Sequence, residues 1–201
     1  MRKIAVVYSG HAPHHRTFNE PKYKQYIDRL IYFPDFQNDS LEGIDVLFVP
    51  SQLNEHLLMA SKEKIHAFAN AGGIVVAFGP QPWEWLPNQK WEERETNFWW
   101  WLEKDANSGL VLADPEYDLF NYITLRDATW HQHGVFWPVE GAQKLITTED
   151  GGAVLYVDKV STNGTWIITT LDPDYHFGSY FMPATERFLD GFLPWLAKGN
   201  I

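Results

Sequence analysis

AGGIVVAFGPQPW, residues 71–83, is the stretch on which the reading of this chain turns. Gly72 and Gly73 supply the positive-φ ending that helices favour, and Ile74–Phe78 is a continuously apolar run of strand length. Gly79 and Pro80 then turn the chain sharply. Helix, buried strand and tight turn make the frame on which many α/β enzymes hold up a Ser or Cys nucleophile. Here the turn carries Phe78, Gly79 and Pro80, and none of these can attack, because attack needs a thiolate or an activated hydroxyl.

Working outward, residues 3–8 and 45–49 (DVLFV) are two more short apolar runs, closed by Ser9 and Gly10 and by Pro50 and Ser51. Continuous rather than alternating apolarity is what a strand covered on both faces requires. Tyr23, Tyr26, Ile27 and Leu30 fall at helical spacing, and a second helix is expected from a cap near Ser61, with Ile65, Phe68 and Ala69 inward. Residues 91–105 read as a helix with Phe98, Trp101 and Leu102 on one face. From Lys144 the pattern changes to β-rich runs (KLITT, AVLYVDKV, TWIITTL), with Asn163 and Gly164 as a hairpin signal. Pro183 opens a last helix that ends near Gly199, with Pro194 expected to kink it. The sum is an α/β fold: a doubly wound, mainly parallel sheet with right-handed crossovers and an antiparallel extension near the C-terminus. Neither an internal repeat nor a linker interrupts residues 1–201, so one domain is expected.

Composition removes several classes of function. The 201 residues include no cysteine, which rules out disulfides, thiolate ligands and thiol nucleophiles. The net charge is −10 with the basic residues scattered, which argues against nucleic acid as a partner. The apolar run near the N-terminus is shorter than a signal h-region, no small-residue cleavage site follows it, and no stretch approaches a membrane span. No membrane partner and a cytoplasmic location are therefore expected.

Four segments together carry a resemblance: KIAVVYSG, IDVLFVPSQLN, AFANAGGIVVAFGPQ and the late TTLDPDYHFG followed by a closing helix. In this order they resemble the class I glutamine amidotransferase-like, flavodoxin-like fold. More narrowly they are similar to its non-glutaminase branches, trehalose-utilisation-type proteins and the amidotransferase-like domain of some β-galactosidases. The resemblance implies that His176 stands where the family's catalytic histidine stands. With Ala77, Phe78 and Gly79 in place of the cysteine, it has no thiol to activate.

In open α/β sheets ligands settle beyond the carboxyl ends of the strands, so the informative loops are residues 9–15, 51–55, 79–85 and 172–178. His11, Gln52, Gly79, Trp83, Trp85, Asp172 and His176 are the expected ligand-binding residues. His11, His14, His15 and His176, with Asp172 and Asp174 nearby, are the candidate ligands of a divalent metal. Trp130-His131-Gln132-His133 is a second histidine pair, whose imidazoles share a face if the segment is extended. Glu55, Glu84 and Asp172 are the carboxylates available for glycoside chemistry. Two functions remain open at this stage. One is a binding module for a small, sugar-derived molecule; the other is a metal- or histidine-assisted hydrolase or isomerase using the same crevice. The Trp-rich middle suits a homo-oligomer contact.

Overall fold

The computed structural model describes every residue except 97, 99–101, 105 and 181. Five strands form a parallel core: β1 (Ile4–Tyr8), β2 (Arg29–Tyr32), β3 (Val46–Val49), β4 (Ile74–Phe78) and β10 (Thr165–Thr169), in the order β2-β1-β3-β4-β10. Alternate residues of these strands feed two separate cores. Ile4, Val6, Val46, Phe48, Val76 and Phe78 point to one face, and Ala5, Val7, Leu47, Val49, Val75 and Ala77 to the other. Every one of these twelve is buried, which is why the strands read as unbroken apolar runs.

The first face is covered by α1 (Ala12–Asn19), α2 (Pro21–Lys24), α4 (Pro173–Ser179) and α5 (Pro183–Lys198), through Phe18, Tyr23, Phe177 and a Phe188, Leu189, Phe192, Leu196 stripe. The second is covered by α3 (Glu55–Asn70) through Leu58, Ile65 and Ala69. The fold is thus α/β, with helices on both faces of the sheet. Beyond β10 the sheet turns antiparallel. β9 (Ala153–Asp158) pairs with β10, with β8 (Gln143–Thr148) and, at Ala153, with β7 (Gly134–Pro138). β5 (Gln89–Glu93) and β6 (Leu110–Leu112) extend it by pairing with β7 and β8. The β9–β10 connection is a hairpin, as Asn163 and Gly164 suggest. Gly164 serves there by close approach, since a Cβ on it would stand 2.1 Å from the Gly73 carbonyl oxygen.

Several elements differ from their expectation. The run Tyr23, Tyr26, Ile27, Leu30 is not one helix: α2 stops at Lys24, and Leu30 lies in β2, in register with Val6. The Asp28 carboxylate accepts the Ile4 N–H at 2.9 Å and draws the chain onto the sheet edge, so tertiary pairing overrides the helical period. α3 begins six residues before Ser61, where the Asn54 side chain accepts the Leu57 N–H at 3.1 Å. The expected helix at 91–105 is replaced at its start by β5, paired residue for residue with β7; residues 97, 99–101 and 105 lie outside the described residues. The loops expected at 9–15 and 172–178 each run into a helix, α1 and α4. α5 continues through Pro194, its carboxyl half packed in the core. Among the described residues no helix is long and apolar enough to cross a membrane.

Candidate functional site

The carboxyl ends of β3, β4 and β10 meet at Gly79. Its φ is +83°, a left-handed conformation that side chains rarely adopt, and a Cβ there would lie 2.6 Å from the Ser51 Cβ and 3.8 Å from the Asp172 Cβ. Its N–H donates to the Leu171 carbonyl at 2.8 Å. No side chain fits where the resemblance would put a nucleophile. Phe78 points down instead, its ring 4.6 Å from Phe48 and 5.1 Å from Phe192, and Ala77 is buried in the opposite core.

On the Ser51 side of Gly79 stands one buried cluster. Asp174 Oδ2 accepts both the Ser51 N–H and its hydroxyl at 3.0 Å, and His14 Nε2 lies 3.3 Å from the same oxygen. His14 Nε2 also donates to the Ser51 carbonyl at 2.8 Å, while Nδ1 faces the Ser9 N–H at 3.4 Å. An amide can only donate, so Nδ1 is the acceptor and Nε2 carries the proton. Ser, His and Asp are all present, but the wiring is not that of a nucleophile triad. The hydroxyl is committed to the carboxylate rather than to the imidazole, and all three residues are fully buried. The cluster ties the ends of β1 and β3 to α4, and the Thr17 hydroxyl adds a 2.7 Å bond to the Asp174 carbonyl.

On the Asp172 side stands a second cluster. Asp172 Oδ1 accepts the Trp130 indole N–H at 3.2 Å, and its Oδ2 lies 3.3 Å from His176 Nε2. Burial alone would raise the Asp172 carboxyl, but His176, Trp130 and His131 together outweigh it and hold it below the usual range. The His131 ring stands edge-on to His176, 4.6 Å between centroids. Desolvation, with His176 close by, pushes its pKa down to about 4, so it is neutral at pH 7. His131, Asp172 and His176 each offer a ligand-type atom, all within 4.8 Å of one another. Neither ring nitrogen of His176 nor His131 Nε2 has a hydrogen-bond partner among the described residues. A cavity of about 800 Å³ opens beside them, lined by Phe98, Arg126, Trp130, His131, Tyr180 and Arg187. A hollow of about 770 Å³ at the amino ends of the strands, between Arg2, Asp45 and Lys198, contains no histidine.

The structure brings together only part of the expected set. Gly79, Asp172 and His176 converge. His11 joins the first cluster, its ring 3.9 Å from that of His14, with its pKa lowered chiefly by desolvation and then by His14. Gln52 is exposed at the tip of its loop with φ +56°, and His15 is exposed on α1. His11, His14 and His15 are therefore not gathered with His176 into one ligand set. Trp83 and Trp85 leave the crevice altogether. Trp85 is fully buried in the α3-side core beside Trp166, its indole donating to Gln81 Oε1 at 2.7 Å. Trp83 packs on the same core, half-buried. Lys62 and His66 of α3 hold this loop by the carbonyls of Glu84 and Trp85, both at 2.7 Å. Glu84 is exposed in this loop, and Glu55 lies beside His56 at the start of α3. Trp130 and His131 belong to the WHQH pair, which the sequence sets apart from Asp172 and His176 because more than forty residues separate them.

No protein-family model matches the sequence, and no curated protein does. Solved structures do match in fold. A cytoplasmic protein of Salmonella typhimurium LT2 aligns with TM-score 0.58 and 12% identity over 98% of this chain and 100% of its own. A protein described as ThuA-like, from Bacteroides uniformis, aligns with TM-score 0.51 and 12% identity over 95% of this chain and 89% of its own. A β-galactosidase from Bacillus circulans aligns with TM-score 0.53 and 16% identity over 96% of this chain. This chain spans only 30% of that enzyme's length.

Proposed function

We propose that this chain is a thiol-free, amidotransferase-like domain that binds a small, acidic, carbohydrate-derived molecule in the cavity beside His131. The parallel strand order β2-β1-β3-β4-β10 supports a flavodoxin-like reading, in which the crevice beyond the strand ends is the ligand position. Structural likeness to a ThuA-like protein and to part of a β-galactosidase supports a carbohydrate-related ligand. The observation that carries the reading is the displacement of open space. Gly79, Ser51 and Asp172 close the position of a nucleophile, while the neighbouring cavity stays wide and aromatic. Tyr180 and Phe98, both exposed, offer ring faces for a pyranose, and Arg126 and Arg187 place two guanidinium groups on its wall, that of Arg187 also held through Nε by the Asp127 carboxylate at 2.7 Å. On a chain of net charge −10, such a pair is suited to a carboxylate or phosphate on the ligand.

The test is a thermal-shift and calorimetric panel of neutral sugars, sugar acids and sugar phosphates. Acidic sugars are expected to raise the melting temperature, and Tyr180→Ala and Arg187→Ala, both at exposed positions, to abolish the rise. A flat response to the whole panel defeats the proposal.

A further inference from the structure

We infer that His131, Asp172 and His176 form a binding site for a divalent transition-metal ion of the zinc or ferrous class. This goes beyond the ligand reading above, because a cation needs none of the cavity's ring faces or guanidinium groups. His176 Nε2 and Asp172 Oδ2 are 3.3 Å apart. Two ligands on a tetrahedral ion with bonds of about 2.0–2.1 Å stand roughly 3.4 Å apart, so this edge of the polyhedron is already in place. The third ligand atom, on His131, lies within 4.8 Å of both.

The second observation concerns the hydrogen bonding of the two rings. His176 is 2% exposed; among the described residues its Nδ1 has no hydrogen-bond partner, and its Nε2 faces only the Asp172 carboxylate, 3.3 Å away and outside hydrogen-bond geometry. Burying imidazole nitrogens without partners is unfavourable, and buried polar atoms are almost always satisfied. The His14 ring shows what satisfaction looks like in the same molecule, with partners at both nitrogens. His131 Nε2 is likewise buried and unpartnered. One ion would give His131 and His176 a partner each.

The outer groups are also arranged as metal sites require. The Trp130 indole holds Asp172 Oδ1 and so orients the carboxylate with Oδ2 toward His176. Two imidazoles and one carboxylate suit zinc, iron or manganese; calcium and magnesium prefer oxygen alone. Three protein ligands leave at least one coordination position for water or a ligand, and His131 lines the cavity from which either would come.

The experiment uses tag-free protein stripped with a chelator, reloaded with Zn²⁺ or Co²⁺, desalted and measured by elemental analysis. About one equivalent is expected to remain, with Co²⁺ giving the intense visible bands of a low-coordinate site. His131→Ala, at a half-exposed position, and His176→Ala are each expected to weaken binding at least about tenfold, whereas His11→Ala and His15→Ala leave it intact. Circular dichroism and the thermal unfolding transition confirm that each variant is folded. Less than about a tenth of an equivalent on folded wild-type protein overturns the inference. So does binding that survives His131→Ala. Metal binding without any sugar response, or the reverse, separates the failure of one reading from that of the other.

Discussion

His14 with Asp174 and His176 with Asp172 are both buried pairs, each with its nearest nitrogen and oxygen 3.3 Å apart, and both aspartates come from the same short stretch, DPDYH. They are nonetheless opposite in character. In the first, both imidazole nitrogens and one carboxylate oxygen are taken up by Ser9 and Ser51, so the pair is a strut between the sheet and α4. In the second, the carboxylate is steadied by Trp130 while His176 carries no hydrogen bond among the described residues, and a cavity opens alongside. Residue chemistry is shared; what differs is whether neighbouring backbone groups have used up the valences. A histidine–aspartate pair is structural where they have, and available for binding where they have not.

Breaking the strut is the largest perturbation this contrast allows. Asp174→Ala leaves His14 and the Ser51 donors buried without their acceptor, and a loss of about 3–5 kcal/mol in urea unfolding is expected. A loss below that of a single surface contact would show that the two pairs are alike after all. Next comes the hinge between them. Gly79→Ala forces a Cβ onto Ser51 in a left-handed backbone, and about 2–4 kcal/mol of destabilisation is expected from strain and overpacking together. The open pair is expected to tolerate change. His176→Gln should cost less than Asp174→Ala, about 1–2 kcal/mol, because Gln keeps an amide donor for the Asp172 carboxylate and no backbone hydrogen bond is lost. A cost as large as that of Asp174→Ala would make His176 a second strut.

The smallest effect is on pH dependence. The folded-state pKa of His11 lies below its ordinary value of 6.5, mainly because the ring is desolvated against His14. The unfolded chain therefore takes up this proton first as pH falls. Its share of stability is complete above about 6.5 and declines on acidification below that value. Denaturant titrations at pH 7.5 and 5.5 are expected to show a smaller difference for His11→Gln than for the wild type. An unchanged difference removes His11 from the account.

Much of the architecture is legible without coordinates because it depends on local pattern. β1, β3 and β4 are buried on both faces, so each is an unbroken apolar run between turn residues. α5 announces itself by Pro183, an inward stripe and Gly199. The failures share one cause, partners far away in the chain. QKWEE at 89–93 has no strand signature of its own and becomes β5 by pairing with β7. Trp85 sits in a Pro-flanked loop that reads as a ligand platform, yet α3 pulls it into the core.

The bare chain was sufficient to exclude thiol chemistry, since an atom type that is absent cannot react in any conformation. It also announced the α/β layering, because strands covered on both faces and helices covered on one must carry different apolar periods. Which histidine became a strut, which was left open, and that His131 would meet His176 depended on folding. Hydrogen-bond saturation is a property of neighbours in space, and those neighbours are set by sheet pairing across most of the chain's length.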